Sequence, residues 1–297
     1  MAATLGAEFL ANYDRFSLYN SPYPAHDEGR AIDLYPDATP GRRARRAPSP
    51  VSGTVREVRT VRAPPRPYAA EEDHLLLIDC DGPPGVAGLV ARILHVEPTV
   101  SPGERVAVGE GLGSLVRAGF FALWVDNHLH VGFRRPDQGL YRASGSLPID
   151  LALPVRPVPW DGEGVVVETG ETYAVLDAPA NPEPDRGFVG IAADGGGVLD
   201  GGLPHYGGGG LLGDDRESPV TVALNGDRVG VATGRTVAWD DVAVAVDGEA
   251  ITGLSLFLAR DAGFGAKLIC PDRTPAVGDR VSVRVRSPAA GESRPRC

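Results

Sequence analysis

Two histidines one residue apart, His128-Leu129-His130, are flanked by strand-forming residues. Phe121-Ala122-Leu123-Trp124-Val125 precede them and Val131-Gly132-Phe133 follow. In an extended chain the side chains at i and i+2 leave the same face. The pair therefore presents two imidazoles side by side. Imidazole is a common zinc ligand and the side chain best suited to exchanging a proton near neutral pH. Such a pair suits a metal ligand next to a general base. An isolated His-x-His also describes exposed strand histidines, so its meaning depends on its surroundings.

The elements that must position the pair read as β throughout. Ala31-Ile32-Asp33-Leu34-Tyr35 predicts a short strand after an aromatic entry segment with Phe9, Tyr13, Phe16, Tyr19 and Tyr23. Strands are then expected at residues 51–61, 74–80, 88–94, 105–108, 120–125 and 128–133, separated by turns rich in Gly, Pro and Asp. Residues 150–160, with Pro154, Pro157 and Pro159, read as a linker. Beyond it the pattern is again β, at 164–168, 173–176, 220–224, 228–232, 242–246, 254–258 and 281–285. Gly195–Gly197 and Gly207–Gly210 mark irregular loops. The expected organisation is two domains, 1–150 and 151–297, with no detectable repeat in the second.

Composition narrows the function classes. The 297 residues are 42% hydrophobic, enough for a sizeable core, and no apolar run is long enough to span a bilayer. The 39 glycines and 27 prolines fit a turn-rich all-β protein. A net charge of −10 argues against a nucleic-acid partner. The basic run Arg42-Arg43-Ala44-Arg45-Arg46 lies between prolines and reads as a loop. Cys80, Cys270 and Cys297 are odd in number, widely spaced and without a CxxC, which argues against a disulfide framework or zinc knuckle. The N-terminus carries Glu8, Asp14 and Arg15 and lacks the pattern of a secretory leader, so a cytoplasmic location is expected.

Pro50-Val51-Ser52-Gly53-Thr54-Val55 is followed by Val100-Ser101-Pro102-Gly103-Glu104-Arg105-Val106-Ala107-Val108-Gly109-Glu110-Gly111-Leu112-Gly113. This pattern suits a compact β-sandwich that folds back at glycine corners. Biotin- and lipoyl-carrier domains share it, but they need a lysine on a hairpin tip. The single lysine here is Lys267, in the second half, so that reading fails. With His26, Asp33, Ile93-Leu94-His95-Val96 and His128-Leu129-His130 in order, residues 20–135 resemble the lysostaphin/LytM-type zinc endopeptidases. These are the peptidases of the duplicated hybrid motif.

The resemblance implies a duplicated-hybrid-motif-like β-sandwich or barrel followed by a second β-rich domain. It implies His26, Asp33 and His130 as ligands of Zn²⁺, with His128 and His95 flanking a metal-bound water as general base and transition-state hydrogen-bond donor. It implies a metalloendopeptidase-like hydrolase with a peptide or peptidoglycan-like substrate. The alternative is a catalytically degenerate binding module on the same fold. The family spaces its first His and Asp by four residues. Here they are seven apart, which makes Asp27 and Glu28 alternative ligands. His74 reads as a strand-end residue and His205-Tyr206 as a surface loop. Asp214-Asp215 and Asp240-Asp241 read as solvated carboxylates.

Overall fold

The structure, a computed structural model, describes residues 1–36, 43–184, 186–213 and 219–288. It is mostly β, as the glycine, proline and period-2 patterns require. Among the described residues no helix is long and apolar enough to cross a membrane. The chain divides into two compact units. The first gathers residues 1–16, 23–36 and 43–153; the second gathers residues 17–22 and the chain from 154. Residues 17–22 thus group with the second unit although they lie within the range expected for the first.

In the first unit an antiparallel sheet runs in the order Ala31–Tyr35, Leu129–Arg134, Val90–Leu94, Glu72–Gly82, Ser52–Arg62, Arg105–Val106. A smaller sheet pairs Arg46–Pro48 with Gly111–Leu115, which in turn pairs with Val96–Pro98. Arg46 therefore leaves the expected loop and enters a strand. The glycine corners occur where expected. Gly113 has φ +148°, and a Cβ there would lie 2.0 Å from the Glu97 carbonyl oxygen. The close crossing of the two strands leaves room only for hydrogen. Phe9 packs on Phe133 with ring centroids 5.8 Å apart, and the Tyr13 hydroxyl donates to the Pro48 carbonyl. The aromatic entry segment is thereby fastened to the sheet.

Residues 120–125 do not form the expected strand; they are turns and bends. Their carbonyls are claimed by side chains instead of a ladder. The Arg117 guanidinium donates to the carbonyls of Ala122, Leu123 and Val125, and the Tyr68 hydroxyl donates to that of Phe121. One forked cation thus replaces three ladder bonds and folds the segment back on itself.

The second unit holds a curled twelve-stranded sheet around a core that includes Trp160, Leu199, Trp239 and Leu268. The proline segment is not wholly a linker, because Val155–Val158 pairs in parallel with Phe188–Ile191. Gly208–Leu212 is a strand between Val198–Leu203 and Thr236–Trp239, not the loop its glycines suggested. A Cβ on Gly209 would lie 2.1 Å from the Trp239 ring, and one on Gly210 would lie 2.3 Å from the Tyr19 ring. The glycines are needed because these rings come this close to the strand backbone. His205 and Tyr206 occupy the turn before it and are buried, not a surface loop. Burial pulls His205 down to about 3, so it is neutral. Asp240 pairs with Arg228 at 2.7 Å. Asp214-Asp215, Arg42 and Cys297 lie outside the described residues.

Asp200 joins residues 17–22 to this unit. It is fully buried and accepts from the Ser17 hydroxyl at 2.5 Å and from the backbone N–H groups of Leu18 at 2.7 Å and Tyr19 at 3.1 Å. Removing that acceptor strands buried donors, at roughly 1–3 kcal/mol each. Asp200→Ala is therefore expected to destabilise the second unit by about 3 kcal/mol in chemical denaturation, with Asp200→Asn losing less. Equal stability of Asp200→Ala and the parent chain would contradict this role.

Candidate metal centre

The centre is built across one strand pair. Leu129–Arg134 runs antiparallel to Ala31–Tyr35 with His130 opposite Asp33, so the two side chains share a face. His130 Nδ1 lies 3.0 Å from Asp33 Oδ1. His26 reaches the same point from the preceding turn, Pro24–Gly29, with Nε2 3.3 Å from Asp33 Oδ1 and 3.1 Å from His130 Nδ1. The longer His26-to-Asp33 spacing is absorbed locally. Asp27 is extended, and Glu28 and Gly29 are both left-handed, at φ +58° and +67°. The kink turns Asp27 and Glu28 out to solvent, where Glu28 pairs with Arg30. Neither is a substitute ligand.

Two more imidazoles border this triangle. His128, immediately before the strand, places Nε2 3.4 Å from Asp33 Oδ1. Its ring stacks on Phe121 at 4.4 Å and lies 5.0 Å from Tyr35, which Arg15 covers in turn. Its Nδ1 lies 2.9 Å from the Asp126 carbonyl oxygen. A carbonyl only accepts, so Nδ1 carries the proton and Nε2 is bare. His95 follows the strand Val90–Leu94 and has a left-handed backbone, φ +71°, which turns the chain into the next sheet. Its ring lies 5.2 Å from that of His128 and 5.9 Å from that of His130. Its Nδ1 is 2.5 Å from Asp73 Oδ2.

The electrostatics suit a cation. Burial opposes charge on Asp33. The imidazoles of His128 and His26 and hydrogen bonds from His130 and His26 outweigh it, holding the carboxyl well below the usual carboxylate range. Burial pulls His128 and His130 down to about 4 despite the Asp33 carboxylate, so both are neutral at pH 7. Metal ligands must be in these forms, a carboxylate and neutral imidazoles. Nitrogen and oxygen atoms bound tetrahedrally at ~2.0–2.1 Å lie about 3.3–3.4 Å apart. The observed edges of 3.0, 3.1 and 3.3 Å come within a few tenths of an ångström of that triangle. His26, Asp33 and His130 could therefore hold a metal ion.

Residues 4–151 match the family model of the N-terminal domain of DUF8155, described as a domain of unknown function. Residues 156–286 match the model of its C-terminal domain. The chain belongs to the DUF8155 family. No curated protein and no solved structure matches it.

The DUF8155 N-terminal domain thus carries all five residues, His26, Asp33, His95, His128 and His130, around one point. His74 is not among them; it lies in the strand Glu72–Gly82, with its ring 3.4 Å from the Thr60 hydroxyl. Among the described residues no other cluster of three His, Cys, Asp or Glu side chains comes together in this DUF8155 chain. Cys80 and Cys270 are buried and free, and burial pushes the Cys80 thiol up to about 12. Sequence reasoning missed Asp73, Asp126, Arg117 and Tyr35. Only Asp73 had a local signal: it shares strand parity with Leu75 and Leu77, which places a carboxylate on a buried face.

Neutral burial sets a pH dependence. His128 and His130 sit at about 4 in the folded chain against an ordinary 6.5. Between those values the unfolded chain takes up protons that the native state refuses. Stability is therefore full above pH 6.5 and falls as the pH drops toward 4. Each histidine contributes a slope of up to about 1.4 kcal/mol per pH unit in that window. The depressed carboxyls of Asp33 and Asp73 add losses below the ordinary 3.8. The metal-stripped chain should lose denaturant resistance steadily from pH 6.5 to 4.5. A midpoint that holds level over that range would contradict neutral burial.

Proposed function

We propose that the DUF8155 N-terminal domain of this chain is a zinc-dependent hydrolase that cleaves a peptide bond, in the manner of the lysostaphin/LytM peptidases it resembles. The observation that carries this reading is the triangle of His26 Nε2, Asp33 Oδ1 and His130 Nδ1, whose edges are 3.0 to 3.3 Å. Two nitrogens and one carboxylate oxygen are a donor set of catalytic zinc sites, which keep a fourth position open. Zinc held there would act as a Lewis acid and bring a water in the open position toward neutral pKa.

The remaining tasks fall to side chains. His128 presents a bare Nε2 beside the triangle, backed by the Asp126 carbonyl on Nδ1. It can accept a proton there and, once protonated, donate to a developing oxyanion or a leaving amine. His95 is the second imidazole within reach of the same point. Phe121 and Tyr35 hold the His128 ring and keep its surroundings apolar. A peptide, including a peptidoglycan-like one, is the substrate class that the resemblance supports.

One observation favours a second reading, a non-catalytic metal-binding module on the same fold. The side chains of His26, Asp33, His128 and His130 are only 4 to 9% exposed. A closed site of this kind serves a structural ion as well as a catalytic one.

Metal analysis and turnover separate the readings. Full-length chain purified without chelator should carry about one zinc. His130→Ala and Asp33→Ala should each lose most of it. His128→Ala and His95→Ala should keep zinc but lose hydrolysis of glycine-rich or murein-like peptides, by 10²-fold or more on the usual scale of acid–base catalysis. Undiminished zinc in both ligand variants would refute the ligand assignment. Stoichiometric zinc with no turnover across the peptide panel would select the non-catalytic module.

A further inference from the structure

Asp73 is completely buried in the strand Glu72–Gly82, and both of its carboxylate oxygens reach His95. Its Oδ1 accepts two backbone N–H groups, from His74 at 2.7 Å and from His95 at 2.9 Å. Its Oδ2 lies 2.5 Å from His95 Nδ1. The two carboxylate oxygens are therefore not interchangeable. Backbone N–H groups are obligate donors, so Oδ1 sits where only an acceptor can sit. Burial opposes the charge, but His95 and the two backbone bonds outweigh it, and Asp73 stays ionised at neutral pH.

From this geometry we infer that Asp73 is a positioning residue that fixes His95 as the Nδ1–H tautomer, leaves Nε2 bare, and so makes His95 the proton acceptor of the site. The inference rests on the hydrolase reading for its catalytic half; the tautomer itself does not depend on that reading. An ionised carboxylate behind Nδ1 also stabilises the imidazolium that proton uptake creates. His128 has only the Asp126 carbonyl behind its Nδ1, a neutral partner and a weaker support for positive charge. The same carboxylate offsets the strain of a non-glycine residue at φ +71° by accepting the His95 backbone N–H.

Asp73→Asn tests this with little change in shape. The two backbone donors must keep an oxygen at the Oδ1 position. The amide nitrogen then falls at the Oδ2 position and offers a hydrogen to His95 Nδ1. His95 can meet it only as the Nε2–H tautomer, which closes the nitrogen that has to accept.

The experiment uses zinc-loaded full-length chain. Long-range ¹H–¹⁵N spectra of the histidine rings identify the protonated nitrogen of His95, assigned by its loss in His95→Ala. The expected result is protonated Nδ1 in the parent chain and protonated Nε2 in Asp73→Asn, at unchanged zinc content. For a peptide that turns over, kcat should fall about 10³-fold or more with KM nearly constant, because the wrong tautomer removes the proton acceptor and not the binding. Asp73→Glu should recover part of the rate by restoring a carboxylate. An Nε2–H His95 in the parent chain overturns the proposal, and this spectrum decides even if Asp73→Asn does not fold. An unchanged tautomer or undiminished kcat in folded Asp73→Asn overturns it as well. If no peptide turns over while the spectra invert as expected, the hydrolase reading fails and the positioning of His95 stands.

Discussion

The antiparallel register that sets His130 opposite Asp33 is the constraint on which the candidate centre depends. A ladder shifted by one residue would carry His130 to the opposite face, because side chains alternate with period two. With the register held, the carboxylate and the imidazole meet at hydrogen-bond distance, and His26 needs only a turn to join them. The neighbouring strand continues the logic, since Leu94 is also opposite His130 and His95 follows it directly. Two strand pairings and one turn thus bring His26, Asp33, His95 and His130 together.

Holding those groups together has an electrostatic cost that the surroundings offset. Buried imidazoles are driven neutral, and a buried carboxylate keeps its charge only among donors. Asp33 and Asp73 each satisfy that condition with histidine partners, and Asp73 adds two backbone N–H groups. Around them, Arg117 gathers carbonyls of the 120–125 segment, whose Phe121 ring stacks on His128. The candidate site is therefore held by polar groups that are themselves held.

The second unit follows a different rule. Its curled sheet is shaped by close approach, with glycines in Gly208–Leu212 making room for the rings of Trp239 and Tyr19. Asp200, buried among donors from residues 17–19, ties a short early piece of the chain into this unit. That arrangement makes the unit discontinuous along the chain, although the proline segment near 154 still marks the main change from one unit to the other.

The local pattern of residues was enough for the all-β class, for strands such as Ala31–Tyr35, Tyr173–Leu176 and Val220–Leu224, and for the shared face of His128 and His130. Those features depend on period-two alternation and turn chemistry, which are written within a few residues. The order of His26, Asp33, His95, His128 and His130 was legible as well, and three of them form the group that could hold a metal ion. Their distances were not, since the seven-residue spacing is reconciled only by the left-handed kink at Glu28 and Gly29. Where local pattern misled, side-chain bonding, close packing or burial had overruled it. Arg117 replaced a ladder at 120–125, aromatic rings turned a glycine run into a strand, and burial converted His205-Tyr206 from loop to core. The partnership of Asp73 with His95 belongs to this second kind. Twenty-two residues separate them, and only the folding of two strands into neighbours brings that carboxylate to one side of the imidazole.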